Sequence, residues 1–394
     1  MQRRINKRRK TNQLAYKNLE QRLYLTVAGN VNDANMLWVT GEADGDVAIV
    51  ASADGYSVTD NGVEVGTFTD VERLGIYIDV GSDNETANNV SVDFANETVD
   101  YVFAFAGDGE NNFVFEGDES IGAAIIVGGN DSDSVDLNVE TEFMARVLLR
   151  GGEDTFNLNA DANWVSFQGG SDNDTFTLPE EVTADGKVWV SLGSGDNTAT
   201  IDGDAQRLTV AGGQDADTVT IGSTANFERN VFLNLGNGEN TTNFAGSTDG
   251  GLYVNGGSDV DNVTIGEGST IADWTSLKLG NGDNIVALDG VFADAVNVYG
   301  GDGSDNVSFG SSSAVTGSVL ANLGEGSNSF TLAGSVADDL TVNSENEDDV
   351  FEVTGDVAGE TVLGPGDQVL SRGRGFRGRF GGFWSWFRGF GRGR

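Results

Sequence analysis

The sequence predicts an all-β chain, a parallel β-roll or β-helix solenoid of about 13 coils with a short antiparallel β cap at its N-terminal end. Three observations carry that expectation. Glycine stands at 57 of 394 positions and proline at 2, which suits many tight turns between short strands. A glycine- and aspartate-rich motif recurs at near-constant distance. Short apolar runs alternate Val, Ile, Leu and Phe with Thr, Ser, Asn and Asp, placing the apolar residues on one face of each strand.

The first recurring motif opens with two glycines and carries Asp at its sixth position and an apolar residue at its eighth. It runs Gly128 to Val135, Gly169 to Phe176, Gly212 to Val219, Gly256 to Val263 and Gly300 to Val307. The starts lie 41, 43, 44 and 44 residues apart. Between them sits a second motif, Gly-x-Gly with Asn two residues on. It is found at Gly107–Asn111, Gly193–Asn197, Gly236–Asn240, Gly280–Asn284 and Gly324–Asn328. Gly151-Gly152-Glu153-Asp154 is a shortened version in the vacant slot. The unit is therefore one coil of about 20–24 residues, alternating between two types. Strands of three to five residues form no core alone, but stacking like on like buries a continuous apolar stripe. The stretches opposite the glycine turns, such as Ser223–Asn230 and Ser311–Gly317, read as irregular.

Four segments follow. Residues 1–22 are basic, with eight Lys/Arg and the single acid Glu20. Residues 23–74 lack the repeat and read as a β-meander cap. Its strands are Leu23–Val27, Met36–Val39, Val47–Val50, Tyr56–Thr59 and Val63–Phe68, with Asp60-Asn61-Gly62 as a hairpin turn. Residues 75–370 are the solenoid. Residues 371–394 interleave seven Arg with Phe and Trp in a low-complexity tail.

Charge follows these segments. The whole chain carries -40, while residues 23–370 hold 61 acids against 7 bases, a difference of -54. That density excludes nucleic acid as a partner of the body and calls for neutralising cations. The tail has the chemistry to meet anionic cell-surface polysaccharide, lipid or a neighbouring acidic rod. With no Cys and no His, disulfide, thiolate and histidine chemistry are excluded. No apolar run reaches transmembrane length. Residues 1–22 lack the apolar core of an ordinary signal peptide, so export would need another signal.

The first motif resembles the nonapeptide Gly-Gly-x-Gly-x-Asp-x-apolar-x of the RTX family of calcium-binding exported bacterial proteins. Gly300 to Val307 fits at every specified position. The four sister motifs carry Asp at the fourth position, as Asp131, Asp172, Asp215 and Asp259. The resemblance implies calcium coordination by the sixth-position carboxylates Asp133, Asp174, Asp217, Asp261 and Asp305, together with backbone carbonyls of stacked turns. Asp196 and Asp283, in the second motif, fall near the same edge. Only one turn per coil is Gly/Asp-rich, so the expectation is one line of calcium sites rather than the family's two.

Asn18-Leu19-Glu20-Gln21-Arg22-Leu23-Tyr24-Leu25 is similar to the Leu-Glu-Pro-Arg-x-Leu-Leu motif near the start of large surface and exported bacterial proteins, with Gln21 in place of Pro. It implies an extracellular or cell-surface location.

Together these readings lead to the expectation of a non-enzymatic, calcium-binding structural or adhesive protein of the bacterial surface or matrix. The alternative is a β-helix enzyme acting on extracellular polysaccharide. It is weakened by the scattering of Arg146, Arg150, Lys187, Arg207, Arg229 and Lys278 along the array. No acid pair stands out as a catalytic dyad.

Overall fold

In the computed structural model the residues described are 27–41, 45–78, 87–370 and 377–378, and among them the chain is all β, without a helix. The Asn18–Leu25 motif and the tail, apart from 377–378, lie outside the described residues. Parallel coils stack as a β-solenoid. The chain divides into two compact units, Met1–Asn226 and Phe227–Arg394.

The first unit opens with β1 (Ala28–Val31), antiparallel to β2 (Met36–Gly41). β3 (Asp46–Ser52), β4 (Gly55–Asp60) and β5 (Val63–Phe68) form the expected antiparallel meander. Asn61 and Gly62 both have positive φ, 50° and 73°, as the hairpin between β4 and β5 requires. The parallel stack nevertheless begins inside this segment. β2 pairs in parallel with β6 (Arg73–Ile78), and β3 with β7 (Asn88–Asp93). Met36–Ser52 is thus the first coil, and β4–β5 is a hairpin hung from it. Its strands alternate like those of later coils, but the segment between them, Gly41 to Asp46, lacks the Gly-Gly or Gly-x-Gly spacing that marks the repeat.

Later coils run β8 (Tyr101–Ala106), β9 (Asn111–Glu116), β10 (Ile121–Val127), β11 (Ser134–Asn138), β12 (Thr141–Gly151) and β13 (Thr155–Leu158). Then come β14 (Ala162–Ser171), β15 (Thr175–Leu178), β16 (Thr183–Gly193), β17 (Thr198–Ile201), β18 (Asp204–Gly213) and β19 (Thr218–Ile221). From β6 on, even-numbered strands build one parallel sheet and odd-numbered strands a second. The core lies between them. Val135, Phe156, Phe176, Ala199 and Val219 are successive Cα partners in the second sheet, all fully buried. Phe167 of the first sheet packs on Phe156 and Phe176, with ring centroids 5.7 and 5.9 Å away. Each such side chain contributes about 1.5–3 kcal/mol of apolar burial.

The second unit repeats the coil with more regular spacing. First-sheet strands such as Leu252–Asn255, Thr275–Lys278 and Val296–Asp302 stack in parallel, as do Asn262–Ile265, Ile285–Leu288 and Asn306–Phe309 in the second sheet. The stretches that read as irregular from sequence are regular here. Two-residue strands at Ser247–Thr248, Thr270–Ile271, Val291–Phe292, Ala314–Val315, Ser335–Val336 and Asp356–Val357 stack in parallel, coil upon coil. Each turns its second residue into the core, from Thr248 to Val357. The backbone of Arg377–Gly378 adds a last rung beside Glu360–Leu363.

Candidate functional site: a buried Asn/Asp ladder

At or just before the start of the second-sheet strands from Asn88–Asp93 to Val350–Val353, an Asn or Asp points inward. In the first unit these are Asn88, Asn111, Asp133, Asp154, Asp174, Asn197 and Asp217; in the second, Asn240, Asp261, Asn284, Asp305, Asn328 and Asp349. All are at most 2% exposed. Buried carboxylates are rare unless paired, so the hydrogen bonds decide how they persist.

The bonding repeats from coil to coil. Asp305 Oδ1 accepts both the backbone N–H of Asn284, at 3.1 Å, and its Nδ2, at 2.8 Å. Asn284 Oδ1 accepts the Asp261 N–H at 2.9 Å, and its Nδ2 also donates to the Gly280 and Gly282 carbonyls of its own turn. Asp133 stands in the same relation to Asn111, with 2.9 and 2.8 Å bonds. In Asp133, Asp217 and Asp261 the second carboxylate oxygen folds back on its own turn, whereas Oδ2 of Asp174, Asp305 and Asp349 is buried without a hydrogen-bond partner. Asp133 Oδ2 accepts the Gly129 N–H at 2.7 Å, and Asp217 Oδ2 the Gly213 N–H at 2.9 Å. Partnered bonds to a charged group contribute about 1.5–3 kcal/mol each, and leaving one unmade costs as much or more.

This arrangement accounts for the first motif without a ligand. A Cβ added at Gly128, Gly169, Gly256 or Gly300 would fall on the carboxylate of Asp133, Asp174, Asp261 or Asp305 respectively. Glycine opens the motif because the sixth-position carboxylate lies over it.

All five sixth-position Asp residues therefore sit in the ladder. The fourth-position residues Asp131, Asp172, Asp215 and Asp259 are exposed at the outer turn. Each accepts a glycine N–H of the preceding coil, from Gly109, Gly152, Gly195 and Gly238, at 2.8–3.3 Å. Of the four, Asp172 alone takes a positive φ, 75°. Asp196 and Asp283 are also exposed and accept the Ala216 and Ser304 N–H groups. The sequence points to these two as metal ligands rather than to their neighbours Asn197 and Asn284, which are the ladder residues. The Asn of the second motif and the Asp of the first are one structural position.

Calcium takes six to eight oxygens, several of them carboxylate. The ladder offers one buried side chain per coil, with Oδ1 held by N–H donors and Oδ2 of Asp154, Asp174, Asp305 and Asp349 left without a partner. Among the described residues no three His, Cys, Asp or Glu side chains gather into a metal-holding group.

Burial raises the carboxyls of Asp133, Asp154, Asp174, Asp217, Asp261 and Asp305, against hydrogen bonds that lower them. Asp133, Asp261 and Asp305 are each pushed up to about 6, and Asp217 is raised. The largest shift falls where the Asn/Asp alternation fails. Asp154 occupies a slot where other coils carry Asn, so Asp133, Asp154 and Asp174 follow one another. Asp133 N–H donates to Asp154 Oδ1 at 2.8 Å, and Asp154 N–H to Asp174 Oδ1 at 3.0 Å, with no amide between the carboxyls. Asp154 Oδ2 is buried without a hydrogen-bond partner. Burial first, and then the charges of Asp174, Asp133 and Asp172, lift Asp154 to about 8. Burial and Asp172 lift Asp174 to about 7.

Compared with protein-family models, curated proteins and solved structures, the chain shows no match.

Proposed function

We propose that this chain is a non-enzymatic structural or adhesive protein of the bacterial surface or extracellular matrix, built as a solenoid that holds itself together by its own polar spine. The ladder carries the reading. The chemistry-bearing Asp and Asn of the repeats are used, coil after coil, to bond one turn to the next. The remaining acids of the glycine turns, such as Asp131, Asp172, Asp196, Asp215, Asp259 and Asp283, stand exposed at the outer edge. Calcium acts there as a counter-cation, relieving repulsion between carboxylates of successive coils. Such ions bind the stacked state better than the unfolded one and stabilise it by mass action. The Arg- and aromatic-rich residues 371–394 supply attachment to an anionic surface or an acidic neighbour.

Thermal unfolding tests this in chelator, in about 5 mM calcium, a concentration above the extracellular affinity range, and in sodium of equal ionic strength. The β signal is expected to be the same in all three, with the highest melting temperature in calcium. Loss of the β signal in chelator would return the metal to the ladder. Equal melting in calcium and sodium would remove it from the account. Cleavage of any member of a polysaccharide panel would overturn the non-enzymatic reading.

A further inference from the structure

Of the four aromatic side chains that stand exposed among the described residues, three lie along one line on the first sheet of the first unit. Tyr101 is 42% exposed, Phe143 63% and Trp164 46%; the fourth, Trp274, belongs to the second unit. The register makes the line. Tyr101 of β8, Ala123 of β10, Met144 of β12 and Trp164 of β14 are successive Cα partners. Trp164 and Lys187 each precede a partnered residue, Val165 and Val188, and Lys187 of β16 pairs with Arg207 of β18. Phe143 is added by a bulge. Between Thr141 and Met144, β12 holds Glu142 and Phe143, where β10 holds only Gly122 and β14 only Asn163. An extra residue in one strand re-aims a side chain, and here it sets Phe143 out alongside the line. Single exposed rings are ordinary, but rings aligned across strands mark an interaction site.

The polar groups around the rings define the ligand. Lys187 and Arg207 close one end of the line, with the Lys187 ammonium 6.0 Å from the Trp189 ring centroid in the next row. Along the flank where the strands begin stand the exposed carboxylates of Asp100, Glu142, Asp185 and Asp204. Rings, donors and acceptors in one line suit a chain of sugars. Ring faces pack against the C–H faces of pyranoses, the cations donate to hydroxyl oxygens, and the carboxylates accept from hydroxyl groups. We propose that this line binds an uncharged polysaccharide laid along the solenoid axis. The proposal names a ligand for the adhesive role above and rests on that reading. Charge selects the class. A body with 61 acids against 7 bases repels polyanions. Polycations are drawn to the acidic turns rather than to a line that ends on two cations. Shape selects a polymer. Five strand steps from β8 to β18, at about 4.8 Å each, give a track on the order of 24 Å long. The exposed rings form one line along it, not the broad patch that a folded partner covers.

Co-sedimentation of the full chain with insoluble cellulose, chitin and mannan tests it. The chain is expected to bind at least one of them, equally in about 0.1 M and about 1 M sodium chloride, because the ligand carries no charge to screen. Phe143→Leu combined with Trp164→Leu keeps apolar bulk but removes the flat rings. It is expected to weaken binding by about tenfold or more, with the β signal unchanged. Trp274→Leu, in the second unit, leaves binding intact. Binding to none of the three polysaccharides overturns the proposal, and so does binding that survives the Phe143/Trp164 change. A wild-type dimer that the same change dissolves, in place of polysaccharide binding, also overturns it and assigns the line to a second copy. Vesicles of anionic phosphatidylglycerol separate this proposal from the reading beneath it. A chain that sediments with the vesicles but with no polysaccharide loses this ligand and keeps its adhesive role; one that sediments with neither loses both.

Discussion

Replacing Asp154 by asparagine is expected to stabilise the chain, by an amount that grows with pH. The wild-type carboxyl is raised to about 8 in the folded state, against about 3.9 in an unfolded chain. The folded state therefore binds this proton more tightly, and the stability it contributes is fully present below about pH 4 and lost as pH rises towards 8. Asparagine has no such proton to lose. It also restores the amide donor that other ladder carboxylates receive, aimed at Asp174 Oδ1. The gain of Asp154→Asn over wild type should widen from about 1 kcal/mol near pH 5 to on the order of 2–5 kcal/mol near pH 9. Urea unfolding across that range measures it. General repulsion among surface acids is nearly the same in both proteins and cancels in the difference. A gain of equal size at both ends of the range would show that Asp154 is ionised throughout.

Asn284→Leu is expected to be among the most damaging single changes in the second unit. Leucine fits the volume but removes four hydrogen bonds at once. It strands the Asp261 N–H, takes the amide from Asp305 Oδ1 and frees the Gly280 and Gly282 carbonyls. Leaving buried polar groups and a carboxylate unpartnered costs about 3–5 kcal/mol. Asn255 provides the control. Its Nδ2 donates to Asn234 Oδ1 at 2.6 Å in the same kind of coil-to-coil pair, but at an exposed site. Asn255→Leu should cost under about 1 kcal/mol, because water replaces the lost partner. Equal losses for the two variants would mean that burial does not set the ladder's importance.

The architecture was legible because its signals are local. Glycine pairs placed the turns, the alternation around Val263 and Val307 placed the inward faces, and Asn61-Gly62 placed the hairpin. The first coil, Met36–Ser52, was not legible as a coil, since Gly41 and Gly45 between its strands have neither the Gly-Gly nor the Gly-x-Gly spacing that marks the period. The two-residue strands escaped because alternation cannot be seen over two residues; only recurrence of a buried side chain, as at Ile271, Phe292, Val315 and Val336, reveals them. The ladder was half legible. Asp261 and Asn284 were both noticed, but Asp in a glycine turn reads as exposed, and burial is a property of the stack rather than the residue.

The central claim is that the coils are joined by direct Asn-to-Asp hydrogen bonds. A double-mutant cycle on Asn284 and Asp305 in chelator tests it most directly, using Asn284→Ala, Asp305→Ala and the pair. The account predicts a coupling of about 1.5–3 kcal/mol between the two side chains, present without calcium. Coupling near zero in chelator that emerges only when calcium is added would contradict it.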